Sequence, residues 1–164
     1  MSYVPFTTLP STSKTWVFGA SAPLDEGRQS LIRSELDSFV REWSAHGSDL
    51  PASFDVLRHR FIVVAADDAA QPGGCSVDRL FRLVTALGTQ AGVSFLDSAL
   101  VFFEEGDGQV RSATREEFQQ LAASGEVGPE TRVFDVNVGT LAGLLNGDFR
   151  KRAGDSWHKT LLVE

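Results

Sequence analysis

Residues 53–66 read SFDVLRHRFIVVAA, and the number of strands in this stretch decides the fold class. Apolar side chains dominate both ends, and the charged triplet Arg58-His59-Arg60 lies between them. Apolar runs of this kind are typical of strands. Because no glycine or proline marks a turn within the stretch, it is either one long bent strand or two strands.

A strand and a helix precede this stretch. Residues 15–20 form an apolar run that predicts a strand. Between Asp25 and Ala45, apolar residues recur with helical spacing and therefore share one face of an amphipathic helix. Asp25 can cap this helix at its start, and Gly47 can end it.

A second helix and a buried strand follow the stretch. The helix begins near Ser76, its predicted N-cap, and Gly88 and Gly92 weaken its far end. The continuous apolar run at 99–103 is typical of a strand that is covered on both faces. The sequence therefore predicts a second helix followed by a third or fourth strand.

The C-terminal part predicts a hairpin, a helix and a strand. Residues 106–108 read GDG and turn the 99–103 strand into a second strand at 109–113. Thr114 and Glu117 have the spacing of a capping box at the start of a helix. The remaining predicted elements are a strand at 132–134, a helix at 140–145 and a polar tail at 147–164 with Trp157 as its only large anchor.

The order β, α, β or ββ, α, β is typical of an α+β two-layer sandwich with a ferredoxin-like βα(β)βαβ core. The C-terminal hairpin, helix and strand extend this core. A three-layer α/β fold with a sheet rich in parallel strands is the alternative. We expect a single domain over residues 1–164, with an α/β core at 1–104, an extension at 105–146 and a tail at 147–164.

Composition and charge restrict the classes of function. The 164 residues include 22 acidic and 15 basic side chains, a net charge of −7, which argues against binding to a nucleic-acid backbone. No apolar run approaches the roughly 20 residues of a membrane span, and the first residues lack the pattern of a signal peptide. We expect a soluble, cytoplasmic protein with a protein or small-molecule partner, without a cofactor, nucleic acid or membrane. The sequence leaves the oligomeric state open.

Cys75 is the strongest catalytic candidate, because it lies just before a predicted helix N-terminus. The helix dipole and free backbone amides at such a position lower the pKa of a thiol. Asp78 is a second catalytic candidate on the first helical turn, and Ser76 and Arg79 are candidates for binding. A thiol nucleophile also needs a base, and the candidates are His59 and His158. The alternative is that Cys75, the single cysteine, is a small buried apolar residue.

Two acidic residues and one arginine are further candidates. Asp67 and Asp68 follow a strand that we expect to be central, and strand ends often carry catalytic or binding carboxylates. We consider Asp67 for catalysis and Asp68 for binding, with a solvated acidic turn as the alternative. Arg60 is a candidate for binding an anion, because it shares one face of an extended segment with Arg58. A salt-bridged sheet surface is the alternative there.

Two classes of site are not expected, because the spacing of the residues does not fit them. The three histidines lack the spacing of zinc ligands, and we expect no metal site. A nucleotide-binding P-loop has a glycine immediately before its lysine, whereas Lys14, Lys151 and Lys159 follow serine, arginine and histidine. ATP hydrolysis of the P-loop class is therefore excluded.

Several short motifs along the chain resemble those of a known group of proteins. The motifs are Val4-Pro5-Phe6, Trp16-Val17-Phe18, Trp43, Phe54, Arg60-Phe61, Gly74-Cys75-Ser76-Val77-Asp78 and Ser156-Trp157. Together they resemble a family of short uncharacterised bacterial proteins that are often labelled ABC transporter ATPases. The resemblance covers nearly the whole chain and implies no established activity.

A second resemblance is local. Residues 108–134 combine the capping box of Thr114 and Glu117 with the later segment Pro129-Glu130-Thr131-Arg132-Val133-Phe134. This pattern is similar to part of the bacterial GYF-like modules, which implies contacts with peptides or proteins. The Gly-Tyr-Phe signature of those modules is absent from this sequence.

These observations support two hypotheses from different classes. The preferred one is a non-enzymatic binding or interaction protein, because no complete catalytic constellation is visible. The alternative is a thiol-dependent enzyme or redox sensor that uses Cys75 at a helix N-terminus. An exposed apolar patch favours the first, and a cleft around a reactive thiol favours the second.

Overall fold

A computed structural model describes residues 4–162, which form a mixed α+β fold. The four α-helices in this part of the chain are Glu26–Glu42 (α1), Cys75–Ala91 (α2), Arg115–Ala123 (α3) and Leu141–Leu145 (α4). The strands are Lys14–Gly19 (β1), Ser44–Ala45 (β2), Ser48–Asp49 (β3), Ala52–Leu57 (β4), Phe61–Ala66 (β5), Leu100–Glu104 (β6), Val110–Thr114 (β7), Arg132–Phe134 (β8) and Arg150–Arg152 (β9). The predicted α+β class is confirmed.

The stretch 53–66 contains two strands, β4 and β5, which a tight turn joins into a hairpin. Arg58 and His59 occupy the turn with φ angles of 57° and 58°, in the left-handed region where glycine or asparagine is usual. Arg58 Nη2 donates to Glu104 Oε2 at 2.8 Å and to the Gly108 carbonyl at 2.7 Å. Contacts from the β6–β7 hairpin thus hold a turn that its own residue types do not favour.

All described strand pairs are antiparallel, and they form two main sheets. The first sheet has the order β1-β5-β4, the second has the order β7-β6-β8-β9, and β2 pairs with β3. The ferredoxin-like core requires β6 as its fourth strand, but β6 pairs with β7 and β8. The ferredoxin-like topology is therefore not confirmed, and the parallel-rich sheet of the three-layer alternative is not observed among the described strands.

The two sheets stack face to face between helices. Helices α1 and α2 cover one face of the first sheet, where Ile32 and Leu80 belong to the same buried cluster as Ile62. The other face packs against the second sheet around Phe61, whose ring centroid lies 5.2 Å from that of Phe102. Helix α3 and the C-terminal tail pack on the remaining face of the second sheet. The structure therefore has a second sheet that the expected two-layer sandwich does not contain.

Helix α1 begins as predicted but ends earlier. The Asp25 side chain caps it by accepting from the Arg28 N–H at 2.8 Å. The helix ends at Glu42 rather than at Gly47, because Gly47, with a φ of 79°, lies in the turn between β2 and β3. Glycine adopts this left-handed conformation without steric cost, which suits it to the hairpin turn as well as to a helix end.

Helix α2 begins at Cys75, and its N-cap is Gly74. The prediction that Ser76 is the N-cap is therefore wrong. The Ser76 hydroxyl instead donates to the Gly73 carbonyl at 2.8 Å and accepts from the Gly73 N–H at 3.0 Å. The helix continues past Gly88, where a Cβ atom would lie only 2.8 Å from the carbonyl oxygen of Val93.

The C-terminal part follows the prediction up to the tail. Strands β6 and β7 form the predicted hairpin, and Thr114 and Glu117 form the predicted capping box of α3. Trp157 is not the only large anchor of the tail, because Phe149 and His158 are both buried. The tail also contributes β9, which pairs with β8 at the edge of the second sheet.

Candidate functional site

Cys75 is exposed at the start of α2, in a cleft of about 570 Å³. The alternative that it is a buried apolar residue is therefore wrong. His46, on the β2–β3 turn, lines the same cleft, and its Nε2 lies 3.1 Å from the Gln71 carbonyl oxygen. Sequence reasoning missed His46, because only the adjacent Gly47 signals the hairpin that brings it beside α2.

Ser76 and Arg79 line the thiol cleft, but each is engaged elsewhere. The Ser76 hydroxyl is bonded to Gly73, and the Arg79 guanidinium lies 5.6 Å from the ring centroid of Phe39. A cation over an aromatic face at this distance gains electrostatic attraction from the ring. Ser76 and Arg79 therefore line the cleft of Cys75, but the polar group of each already makes another contact.

The three predicted carboxylates do not line the thiol cleft. Asp78 forms an exposed ion pair with Arg82 on the same helix. Asp67 accepts a hydrogen bond at 3.0 Å from the backbone N–H two residues further on, and Asp68 accepts at 3.2 Å from the Thr12 hydroxyl. Asp67 therefore stabilises the turn after β5, and Asp68 connects this turn to the segment before β1.

The predicted bases also lie away from Cys75. His59 is in the β4–β5 turn, and His158 is buried in the tail with its Nδ1 2.7 Å from the Ser156 hydroxyl. Neither lines the thiol cleft. Within residues 4–162, no three His, Cys, Asp or Glu side chains gather into a group that could hold a metal ion.

Arg60 is buried directly before β5, and its Nη1 donates to the Ala20 carbonyl at 3.0 Å. Arg58 lies in the turn with a left-handed backbone, so the two arginines do not share one face of an extended segment. Arg60 nevertheless lines a small cleft together with Arg58 and His59. The arrangement predicted from the sequence is wrong, but the three residues remain neighbours in space.

A cleft of about 580 Å³ runs along the outer edge of β1, and we call it the β1 groove. Its wall is aromatic, with contributions from both sheets, from α2 and from the tail. The aromatic residues are Trp16, Phe18, Phe81, Phe95, Phe102 and Trp157. Phe81 and Leu96, also in the groove, are 37% and 44% exposed, so two large apolar side chains of the groove are open to solvent. The groove therefore offers apolar surface to a partner.

Strand β1 turns backbone polar groups toward the groove. The Ala20 N–H donates to the Arg60 carbonyl at 2.8 Å, so even-numbered residues pair with β5 and odd-numbered residues face outward. One outward group is satisfied, because the Thr15 N–H donates to the Gly139 carbonyl at 3.1 Å. Val17 is the next outward residue and lines the groove. Its backbone groups have no partner on this side among residues 4–162.

The groove is also locally cationic. Lys14 and Arg115 line it, with Asp97 as the single carboxylate among its described residues. Lys14 Nζ lies 6.0 Å from the Trp16 ring centroid, and the Arg115 guanidinium lies 5.4 Å from that of Trp157. In a chain with a net charge of −7, these two cations give the groove a charge opposite to that of the protein.

Comparisons with family models, with curated proteins and with solved structures found no match to the chain. No helix within residues 4–162 is long and apolar enough to cross a membrane.

Proposed function

We propose that the protein is a non-enzymatic interaction protein and that its β1 groove binds an extended peptide segment of a partner protein. The observation that carries the proposal is the unpaired outward backbone of Val17 inside an aromatic groove. An unpaired strand edge is a template for another strand, and peptide recognition by strand addition uses such edges. Main-chain hydrogen bonds would provide affinity, and the aromatic wall would select the side chains.

The groove also restricts the chemistry of the peptide. Phe81 and Leu96 favour apolar side chains at alternate positions, because successive residues of a strand point to opposite faces. Lys14 and Arg115 favour an acidic residue at the ends of such a segment. The partner segment is therefore extended, with apolar side chains at alternate positions and an acidic residue near one end.

The start of the β1 edge is already paired within the chain, because an antiparallel bridge joins Lys14 to Thr140 and the Thr15 N–H donates to the Gly139 carbonyl. A partner strand would therefore pair with β1 beyond Thr15, at Val17. The local similarity of residues 108–134 to GYF-like modules also favours contacts with peptides or proteins. Membership of the family of short uncharacterised bacterial proteins stays a prediction and adds no activity.

Peptide binding can be tested by selecting a displayed library of 12-residue peptides, a length of about 40 Å when extended, and measuring Kd for the selected sequences. We expect Leu96→Glu to weaken binding by about tenfold or more, because a charge then lies in the apolar groove. Leu145→Glu is the matched control, since Leu145 is 67% exposed and does not line the groove. We expect its Kd to stay within about twofold of that of the unchanged protein.

Strand addition has a distinct signature in the peptide backbone. N-methylation of the bound peptide at successive positions should weaken binding at alternate residues, because only every second N–H faces β1. Equal binding by the Leu96→Glu and Leu145→Glu variants would contradict the proposal. It would also be contradicted if sedimentation showed a dimer that Leu96→Glu dissociates, because the occupant would then be a second copy of the chain.

The thiol hypothesis remains a second candidate, because exposed Cys75 shares a cleft with His46 and Arg79. We expect native Cys75 to react with iodoacetamide at a rate comparable to that of the unfolded chain, since exposure permits access. The rate should be measured against pH, with Cys75→Ser as the control for other sites. If the midpoint of the curve of rate against pH lies well below that of the unfolded chain, the result supports a thiol function. A coincident midpoint argues against it.

A further inference from the structure

Arg60 carries a buried charge that the described residues do not neutralise. The residue is only 5% exposed, and its Nη1 donates to the Ala20 carbonyl. Its Nε is buried without a hydrogen-bond partner among residues 4–162, and no carboxylate in this range forms an ion pair with it. A guanidinium has five N–H donors, and in Arg60 the Nε donor is the one that is buried without a partner in the described part of the chain.

An unneutralised buried cation is costly, and proteins usually pair it. Burial lowers the pKa of Arg60, in the direction expected for a cation without a counter-ion. Arginine nonetheless stays protonated at neutral pH. The residue therefore keeps its positive charge and lacks a protein anion.

Arg60 lines a cleft of about 330 Å³ whose charged residues are all basic. Arg58 and His59 line it as well, and the other described lining residues are Pro23, Leu24, Gly108, Gln109 and Val110. None of these residues carries a carboxylate. The cleft is therefore a small, cationic site that shares no residue with the β1 groove.

The carboxylate of Glu104, which Arg58 contacts, already pairs with other cations. Glu104 accepts from Arg150 Nη2 and from Arg58 Nη2, both at 2.8 Å. Hydrogen bonds from Arg150 and Arg58 lower the pKa of Glu104 to about 2. Two guanidinium groups thus share one carboxylate, and this carboxylate is not available to neutralise Arg60.

We propose that the cleft beside Arg60 binds an oxyanion, the phosphate or carboxylate group of a ligand, as the counter-ion of Arg60. Arginine suits this task because its planar donors match the geometry of both oxyanions. Oxyanion binding in this cleft is independent of peptide binding in the β1 groove, so either proposal can be wrong without the other.

The proposal can be tested by NMR titration of the backbone amides of residues 58–60 and 108–110. Sodium phosphate and sodium acetate are added separately, with sodium chloride at equal ionic strength as the reference. We expect saturable shifts with phosphate or acetate that chloride does not reproduce. Tighter binding of phosphate identifies a phosphorylated ligand, and tighter binding of acetate identifies a carboxylic acid.

Arg60→Gln should weaken the binding of the preferred oxyanion by about tenfold or more, since it removes the charge. Arg82→Gln is the matched control, because it removes one largely exposed cation that does not line this cleft. Arg60→Gln also loses part of the contact with Ala20, so Gln109→Glu provides a second variant on the exposed rim. Its carboxylate should compete with the added oxyanion and weaken binding. Linear shifts equal to those with chloride, or unchanged binding in Gln109→Glu, would overturn the proposal.

Discussion

Replacing Phe61 by alanine is expected to lower the free energy of unfolding by about 3–5 kcal/mol, the range for large aromatic residues in a packed core. Phe61 is fully buried between the two sheets. Its ring centroid lies 5.2 Å from that of Phe102, 5.1 Å from that of Phe134 and 5.2 Å from that of Phe149. The substitution therefore leaves a cavity where both sheets meet.

The loss is measured by urea unfolding, followed by circular dichroism and tryptophan fluorescence. Leu145→Ala is the control, because Leu145 is largely exposed and its truncation should cost less than about 0.5 kcal/mol. Phe61→Leu should retain part of the stability by filling some of the cavity. If the two sheets fold as one unit, both signals shift together in one transition. Two transitions, with only one shifted, would show that Phe61 does not couple the sheets.

Local features of the fold could be predicted because their determinants lie within a few residues. The Asp25 cap and the capping box of Thr114 and Glu117 are hydrogen bonds across three residues, and both are present as predicted. The 106–108 turn likewise depends on its own glycines, of which Gly108 has a φ of 87°. Short-range hydrogen bonds and backbone preferences can be read from the sequence.

Features that depend on distant contacts could not be predicted. The turn at Arg58 and His59 has no favourable residue type, and Glu104 and Gly108 stabilise it from another hairpin. The apolar run of β6 fits a strand of the first sheet or of the second, because a strand in either sheet is covered on both faces. Only tertiary packing decides between the two sheets.

The β1 groove and the place of His46 beside Cys75 were missed for the same reason. The residues of the β1 groove read as ordinary core positions of a strand and a helix, and Trp16 gives no signal of an open edge. The groove exists because β6 joins the second sheet and leaves Val17 at the margin of the first. His46 lines the cleft of Cys75 only because β2 and β3 form a hairpin after α1. Pairing of strands therefore decides which surfaces are available for function.

Lowering the pH from 7 to 4.5 is expected to reduce the free energy of unfolding by roughly 2–3 kcal/mol through His158 alone. His158 is 1% exposed, and burial lowers its pKa to about 4, with an opposing contribution from Asp135. In the unfolded chain the histidine titrates near its ordinary value of 6.5. Between these values the unfolded state binds more protons than the folded state. Stability is therefore complete above pH 6.5 and falls as the pH approaches 4.

His158→Gln separates this effect from other titrations, because glutamine stays neutral over the whole range. The variant is expected to be less stable at pH 7, since it disturbs the contact with Ser156, but to have a flatter stability profile between pH 7 and 4.5. Glu104 does not interfere in this window, because its lowered pKa removes stability only below about 4.5. Equal slopes for the His158→Gln variant and the unchanged protein would mean that His158 gains its proton over the same pH range in the folded protein as in the unfolded chain, which contradicts the prediction.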